Sequence, residues 1–360
     1  MPFAHHHVSQ YALPQTTKST TLKRILLIQL RQLGDILLTT PAIGAVRRAY
    51  PEAEIDFLSH KMGQLVLADN PHIDQLHTYH ERDSILDSLR LYKSLRKRRY
   101  DLVVDFMFAP RSALMTWISG APTRLSFDSK RRWAYSKTID RPKASRYIVQ
   151  EKFDLLESLG IPCESQRIVF PWALSDLKPF EQFCKDHQTF EASKCRVVLS
   201  VTHRRSQRRW PLQRYAAISD MLQEKWGAQV VWIWGPGETD FVKEAMQYCR
   251  LPALLAPKTS MRELAAFIAN CDLFIGNSNG PSHVATSTEI PSLQLHGPTY
   301  AKSWSPLNER HQAVQKAQME DIDIESVWHA LGQLRPVVEK RVQYRLQNGV
   351  RIEWSDPMAF

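Results

Sequence analysis

Apolar residues along this chain fall into short unbroken runs, separated by longer segments in which apolar positions recur every three or four residues. Arg24-Ile-Leu-Leu-Ile-Gln29 is such a run, and its length and polar ends predict a strand covered on both faces, as in a parallel sheet. Residues 36–50 carry helical spacing up to the turn at Pro51. The alternation continues with strands at 54–59 and 101–106 and helices near 83–97, 110–119 and 148–159. Between Gly160 and Lys194 the rhythm breaks at Pro162, Pro171 and Pro179, where a connection is expected. A second series begins at Cys195-Arg-Val-Val-Leu-Ser-Val201, followed by helix 212–226, strand 229–234, helix 261–270, strand 273–275, helix 281–288 and strand 292–295. Two successive series of this kind predict the α/β class, with two doubly wound, Rossmann-like domains. The expected divisions are a disordered leader at 1–22, an N-terminal domain at 23–175, a linker at 176–193, a C-terminal domain at 194–335, and a tail at 336–360 that packs back on the domains or hangs free.

Length supports two cores, since 360 residues are long for one. The five cysteines, Cys163, Cys184, Cys195, Cys249 and Cys271, are odd in number, scattered and without a CxxC pair. That argues against a disulfide framework and a zinc site, and fits a reducing cytoplasm. No run reaches the length of a membrane span and the start lacks an export signal, so neither spanning nor secretion is expected. His5-His6-His7 sits in the polar leader and is set aside as a metal site.

A net charge of +10 narrows the partners. Basic residues cluster at Arg96-Lys-Arg-Arg99, Lys130-Arg-Arg132, Arg204-Arg205 with Arg208-Arg209, and along the tail at Arg335, Lys340, Arg341 and Arg345. Such clusters attract phosphates of a nucleotide, an anionic lipid or a nucleic acid, or are simply solvated helix faces. No nucleic-acid-binding motif accompanies them, so nucleic acid is not an expected partner.

Two segments carry candidate chemistry. Leu30-Arg-Gln-Leu-Gly-Asp35 follows a strand and opens a helix, so Asp35 is either a helix cap beside a turn glycine or a carboxylate held at a cleft as a general base. Gly276-Asn-Ser-Asn-Gly-Pro-Ser-His283 follows another strand, and the amides of Gly280 to Ser282 at a helix start suit a pyrophosphate or are plainly capped. Asp321-Ile-Asp323 has the look of a metal-binding DxD but precedes an apolar helix and reads as a cap. Trp210, Trp232 and Trp234 read as packing residues, one of which could stand near a nucleobase.

Leu-Gly-Asp35 followed by Thr-Thr-Pro41-Ala and by Arg47-Arg48-Ala-Tyr50-Pro51 resembles the start of the heptosyltransferases of glycosyltransferase family 9. The resemblance continues through Tyr100-Asp101-Leu-Val-Val-Asp105, Arg111-Ser112, Arg208-Arg-Trp-Pro-Leu212, Gly235-Pro-Gly-Glu238, Gly276 to His283 and Leu295-His-Gly-Pro-Thr299, in the family's order. It implies the GT-B fold, two such domains facing a central cleft, with the acceptor on the first and the nucleotide-sugar on the second. It also implies an inverting enzyme that moves heptose from ADP-heptose to the lipopolysaccharide inner core, at the cytoplasmic face of the inner membrane, without a cofactor or metal.

Carried over by residue, the resemblance makes Asp35 the catalytic base, Arg208 a donor-phosphate contact where lysine is common, and Glu238 a ribose contact. Ser278, Asn279, Gly280, Pro281, Ser282 and His283 form the remaining donor-binding motif. Arg111, Lys130, Arg131 and Arg132 are weaker candidates for an anionic glycolipid acceptor, and the basic patches for the inner-leaflet surface. Ser278 stands where the family has an aspartate, and a serine brings a hydrogen bond without a charge. A transferase with another donor and a catalytically silent nucleotide-sugar binder therefore remain as alternatives.

Overall fold

The computed structural model describes residues 22–187 and 190–348. The histidine triplet, almost all of the expected leader and residues 349–360 lie outside them.

The first sheet is built from β1 (Arg24–Ile28), β2 (Glu54–His60), β3 (Gln75–Tyr79), β4 (Leu102–Asp105), β5 (Thr123–Phe127) and β6 (Lys137–Ile139). All six are parallel, in the order β3-β2-β1-β4-β5-β6. The connections supply α1 (Leu33–Leu37), α2 (Thr40–Ala49), α3 (Gln64–Leu67), α4 (Ile85–Arg98), α5 (Pro110–Ser119) and α6 (Ile148–Glu157). After α7 (Lys178–Asp186), the second sheet contains β7 (Arg196–Ser200), β8 (Gln229–Ile233), β9 (Leu254–Leu255), β10 (Leu273–Asn277), β11 (Ser292–His296) and β12 (His311–Gln315). These strands are also parallel, in the order β12-β11-β10-β7-β8-β9. Their helices are α8 (Leu212–Trp226), α9 (Thr239–Met246), α10 (Met261–Ala269), α11 (Gly280–Ser287), α12 (Ala301–Trp304) and α13 (Ile324–Asn348).

Each sheet reverses its winding once, between β1 and β4 in the first and between β7 and β10 in the second. Crevices for ligands open at such points, beyond the carboxyl ends of the strands. β1 and β7 are almost wholly buried, which is why their sequences are unbroken apolar runs.

Three local departures from the sequence pattern have physical causes. The single helix expected over 36–50 is two, because Pro41 has no N–H to offer the carbonyl of Leu37. The Thr40 hydroxyl donates to that carbonyl instead, at 2.8 Å, and Thr39 Oγ1 donates to the Asp35 carbonyl at 2.7 Å. Residues 176–193 contain α7, whose Phe180 and Phe183 meet Phe267 of α10 edge to face with ring centroids 5.1 and 5.3 Å apart. α7 is thus packed on the second domain. Finally, α13 runs through the expected boundary at 335/336 despite Pro336. Its Arg345 is buried and binds both carboxylate oxygens of Asp272 as well as the carbonyls of Ala192 and Lys194, which fastens residues 336–348 to the second domain.

The two domains touch beside the cleft. Arg262 of α10 reaches Asp69 and, at 3.1 Å, Asp176, while Ser145 Oγ and Ser303 Oγ are 2.6 Å apart.

Candidate active site

The loops after β1, β7, β8 and β10 converge on one cavity of about 640 Å³ between the domains. Asp35, Arg208, Glu238, Ser278, Gly280 and His283 all line it. Residues some 250 positions apart in sequence thus share a wall.

Asp35 enters from the first domain on α1. Its Oδ2 accepts the Gln32 N–H at 3.0 Å, so both candidate readings coexist: the carboxylate caps its own helix and faces the cleft. Burial raises its pKa above the ordinary carboxylate range, opposed by the charge of Lys152 and by the Gln32 amide. Lys152 of α6 was not singled out from the sequence. It is buried, donates to Gln29 Oε1 at 3.0 Å, and lies over the Phe106 ring. Gln29 in turn donates to the Arg31 carbonyl, so the amine supports the loop that carries Asp35. Burial lowers the Lys152 pKa to about 8, although Asp35 and Glu151 pull it upward. Each charge favours the other, and desolvation outweighs the favour in both. An internal lysine within a helical pattern gives no such signal in sequence, because its burial depends on the fold.

At Gly34 the two domains approach closely. A Cβ there would stand 2.7 Å from His283 Cδ2, so a side chain would collide with a ring from the opposite domain. His283 is buried and its Nδ1 has no hydrogen-bond partner among the described residues. Burial lowers its pKa to about 4, and that of His296 likewise to about 4. Both rings are therefore neutral at neutral pH. Positive charge in the cleft has to come from arginine.

The loop after β7 supplies it. Arg204, Arg205 and Arg208 line the cavity, and none forms a salt bridge among the described residues. Burial, then repulsion from Arg205 and Arg204, lowers the Arg208 pKa; a guanidinium stays charged nonetheless. Arg208 Nε is buried without a partner. Arg209 is different: its Nε donates to the His203 carbonyl at 2.7 Å and its head lies over the Phe241 ring. Of the adjacent pair, one arginine holds the loop and the other presents an unneutralised charge.

The start of α11 offers fewer amides than the sequence suggested. Pro281 has no N–H, and that of Ser282 is taken by Asn279 Oδ1 at 3.1 Å in a reciprocal capping box. Gly280 alone of the three keeps an uncommitted position at the helix start. Ser282 is wholly buried and does not line the cavity, and its amide and hydroxyl both bond Asn279. Asn279 also donates to the Thr202 carbonyl at 2.8 Å, tying the turn to β7. Ser278 lies on the wall, half-buried.

Glu238 accepts the Gly235 N–H at 3.0 Å through one oxygen. Trp234, Ile233, Met261 and Leu264 form an apolar stretch of the same cavity. Trp210 and Trp232 are core residues. Arg111, Lys130, Arg131 and Arg132 are absent from the cavity wall: Arg111 lies over the Tyr79 ring, and Arg131 donates to the Phe108 carbonyl at 3.2 Å. Asp323 accepts the Ser326 N–H at 2.6 Å and caps α13, while Asp321 accepts that of Gln318 at 3.1 Å and closes the preceding turn. Among the described residues no group of three or more His, Cys, Asp or Glu is placed to hold a metal ion.

Two parallel, doubly wound domains facing a cleft, with a carboxylate on one side and uncompensated arginines on the other, are the arrangement of the GT-B fold. The sequence model described as glycosyltransferase family 9 (heptosyltransferase) matches residues 88–328, and the chain belongs to that family. It is 31% identical over 298 residues to lipopolysaccharide heptosyltransferase 3 of Escherichia coli K12, covering 78% of this chain and 84% of the relative. The lipopolysaccharide core heptosyltransferase OpsX of Haemophilus influenzae is 21% identical over 281 residues, covering 76% and 79%. Among solved structures, the family 9 glycosyl transferase from Veillonella parvula superposes with a TM-score of 0.78 at 22% identity, over 87% of this chain and 97% of that one. E. coli heptosyltransferase WaaC with ADP-2-deoxy-2-fluoro heptose gives 0.67 at 17% identity, over 86% and 99%. The chain is a transferase of the GT-B fold.

Proposed function

We propose that this enzyme transfers heptose from ADP-heptose to the lipopolysaccharide inner core or a related glycolipid, with inversion at the anomeric carbon and without a metal. The observation that carries the reading is Asp35 across one cavity from the unpaired Arg208. The acceptor lies against the first domain and the donor against the second. The acceptor hydroxyl gives its proton to the Asp35 carboxylate while its oxygen bonds to the anomeric carbon. The bond from that carbon to the diphosphate breaks at the same time, and ADP leaves with the electron pair. Arg204, Arg205, Arg208 and the Gly280 amide balance the growing charge. Glu238 and the apolar stretch at Trp234 hold the nucleoside. The relatives support the sugar and acceptor by what they are named for. Basic patches would keep the enzyme at the cytoplasmic face of the membrane; among the described residues no helix is long and apolar enough to cross it.

The test is a donor panel run with a lipopolysaccharide-core acceptor in excess EDTA. ADP-heptose is expected to be used and activity to persist. Loss in EDTA with recovery on adding Mg²⁺ would defeat the metal-free scheme. Nucleotide-sugar binding without turnover on any acceptor would favour a silent binding protein. Ser278→Asp is expected to change relative rates among donors; an unchanged profile in folded protein removes Ser278 from donor selection.

Lys152 sets the pH response of the base. Its cation lowers the Asp35 pKa, so Lys152→Met leaves burial opposed only by the Gln32 amide and raises that pKa. The acid limb of kcat/KM is expected to move up by at least about one pH unit, while Lys152→Arg retains the limb. An unmoved limb in Lys152→Met would restrict Lys152 to supporting the loop.

A further inference from the structure

Helix α4 carries a face that no other described residue covers. Its inner side, Leu91, Tyr92 and Leu95, packs on a cluster of β1 and β4 residues with Met115. Its C-terminal end is fixed by Arg98, whose guanidinium binds Asp56 through two nitrogens at 2.9 and 2.8 Å. In the first two turns, ahead of this packed side, Ile85, Leu86 and Leu89 are 80%, 65% and 55% exposed. Spacing of three and four residues continues this stripe from Leu86 and Leu89 to Lys93 and Lys97, both exposed. Single exposed aliphatics are ordinary on any surface, but three on adjacent turns of one fixed helix are not. The one acid of the helix, Asp87, is engaged by Ser84 and by Arg90 at 2.8 Å. The stripe is thus apolar at its start, cationic beyond, and free of unpaired negative charge.

That composition, an apolar side flanked by lysine and arginine, suits a helix lying in the headgroup boundary of an anionic bilayer. Its place in the fold points the same way. The turn that leads into α4 follows the carboxyl end of β3, and its Glu81 pairs with Arg31 of the loop carrying Asp35 at 2.7 Å. A bilayer against the first turns of α4 would border the acceptor side of the cleft. We infer that the outer face of α4 docks the enzyme on anionic membrane, with Ile85, Leu86 and Leu89 entering the interface and Lys93 and Lys97 on the headgroups. This rests on the glycolipid-acceptor reading for its purpose but not for its measurement.

The experiment is co-sedimentation of the full chain with vesicles of phosphatidylethanolamine and phosphatidylglycerol, and with neutral phosphatidylcholine vesicles. The wild type is expected to bind the anionic vesicles preferentially. Leu86→Ser/Leu89→Ser should weaken that binding roughly tenfold or more, and Lys93→Gln/Lys97→Gln should weaken it and flatten its salt dependence. Both variants should keep wild-type turnover on a lipid-free core oligosaccharide, which separates docking from chemistry. Equal vesicle binding by the leucine variant would overturn the inference. So would a wild type that ignores vesicles but self-associates or captures a protein through this face. Should heptosyl transfer itself fail, the vesicle result would still stand or fall alone.

Discussion

Asp35→Asn is expected to lower turnover by roughly two to four orders of magnitude, about 3–5.5 kcal/mol in the barrier, while leaving donor affinity unchanged. The substitution is conservative where structure needs it to be. Asparagine keeps an oxygen for the Gln32 N–H, and the Thr39 bond goes to the main-chain carbonyl of residue 35 and is unaffected. What it loses is the ability to accept a proton. The raised pKa of Asp35 bears on the size of the effect, because a carboxylate moved by burial toward working pH is a better base than an exposed one. Turnover near the wild-type rate, in protein with unchanged thermal unfolding, would take Asp35 out of the reaction.

The central strands were legible in the sequence because burial on both faces writes itself as an unbroken apolar run. β1, β4, β7, β8 and β10 all have this form, and all lie inside their sheets. β3 reads Gln-Leu-His-Thr-Tyr and β12 reads His-Gln-Ala-Val-Gln, half polar, because each is a sheet edge with one neighbour. β5 is interior but carries Arg124, whose guanidinium returns to the carbonyls of Ala134 and Ala121; no local pattern reveals such a return. β9 has two residues, too few for any period.

The candidate site was legible to a similar degree and for a similar reason. Asp35, Arg208 and Gly280 sit directly beyond the ends of buried strands, so locating the strand located the cleft residue. Which neighbours modify them was not written locally. Asn279 caps Ser282 in a box whose signature, two polar residues three apart, also fits a phosphate-binding turn. Lys152 lies 117 residues from Asp35 in sequence and reaches Gln29, ahead of the loop that carries Asp35, only because α6 packs against α2 and β5. Gly34 looked like a turn residue, whereas its missing side chain makes room for His283 from the other domain.

Arg208→Ala is expected to weaken ADP binding by about 1.5–3 kcal/mol, roughly 10–150-fold, with acceptor affinity little changed. The size follows from what else is in the cleft. His283 and His296, with pKa values near 4, cannot take up the lost charge at neutral pH. Arg204 and Arg205 are exposed on the same loop and contribute through solvent, where attraction to a diphosphate is screened. Arg208 alone of the three has a buried, unpartnered nitrogen, so its desolvation is already present before an anion arrives. Arg208→Lys should recover part of the loss, because charge returns without the planar fork. Arg209→Ala is the contrasting substitution: it removes the bond to the His203 carbonyl and the contact with Phe241, and should lower thermal stability along with affinity. Titration calorimetry with ADP distinguishes the cases. Unchanged affinity in Arg208→Ala would mean that the diphosphate sits elsewhere on the wall, against Gly280 and the outer arginines, and that Arg208 serves the loop rather than the ligand.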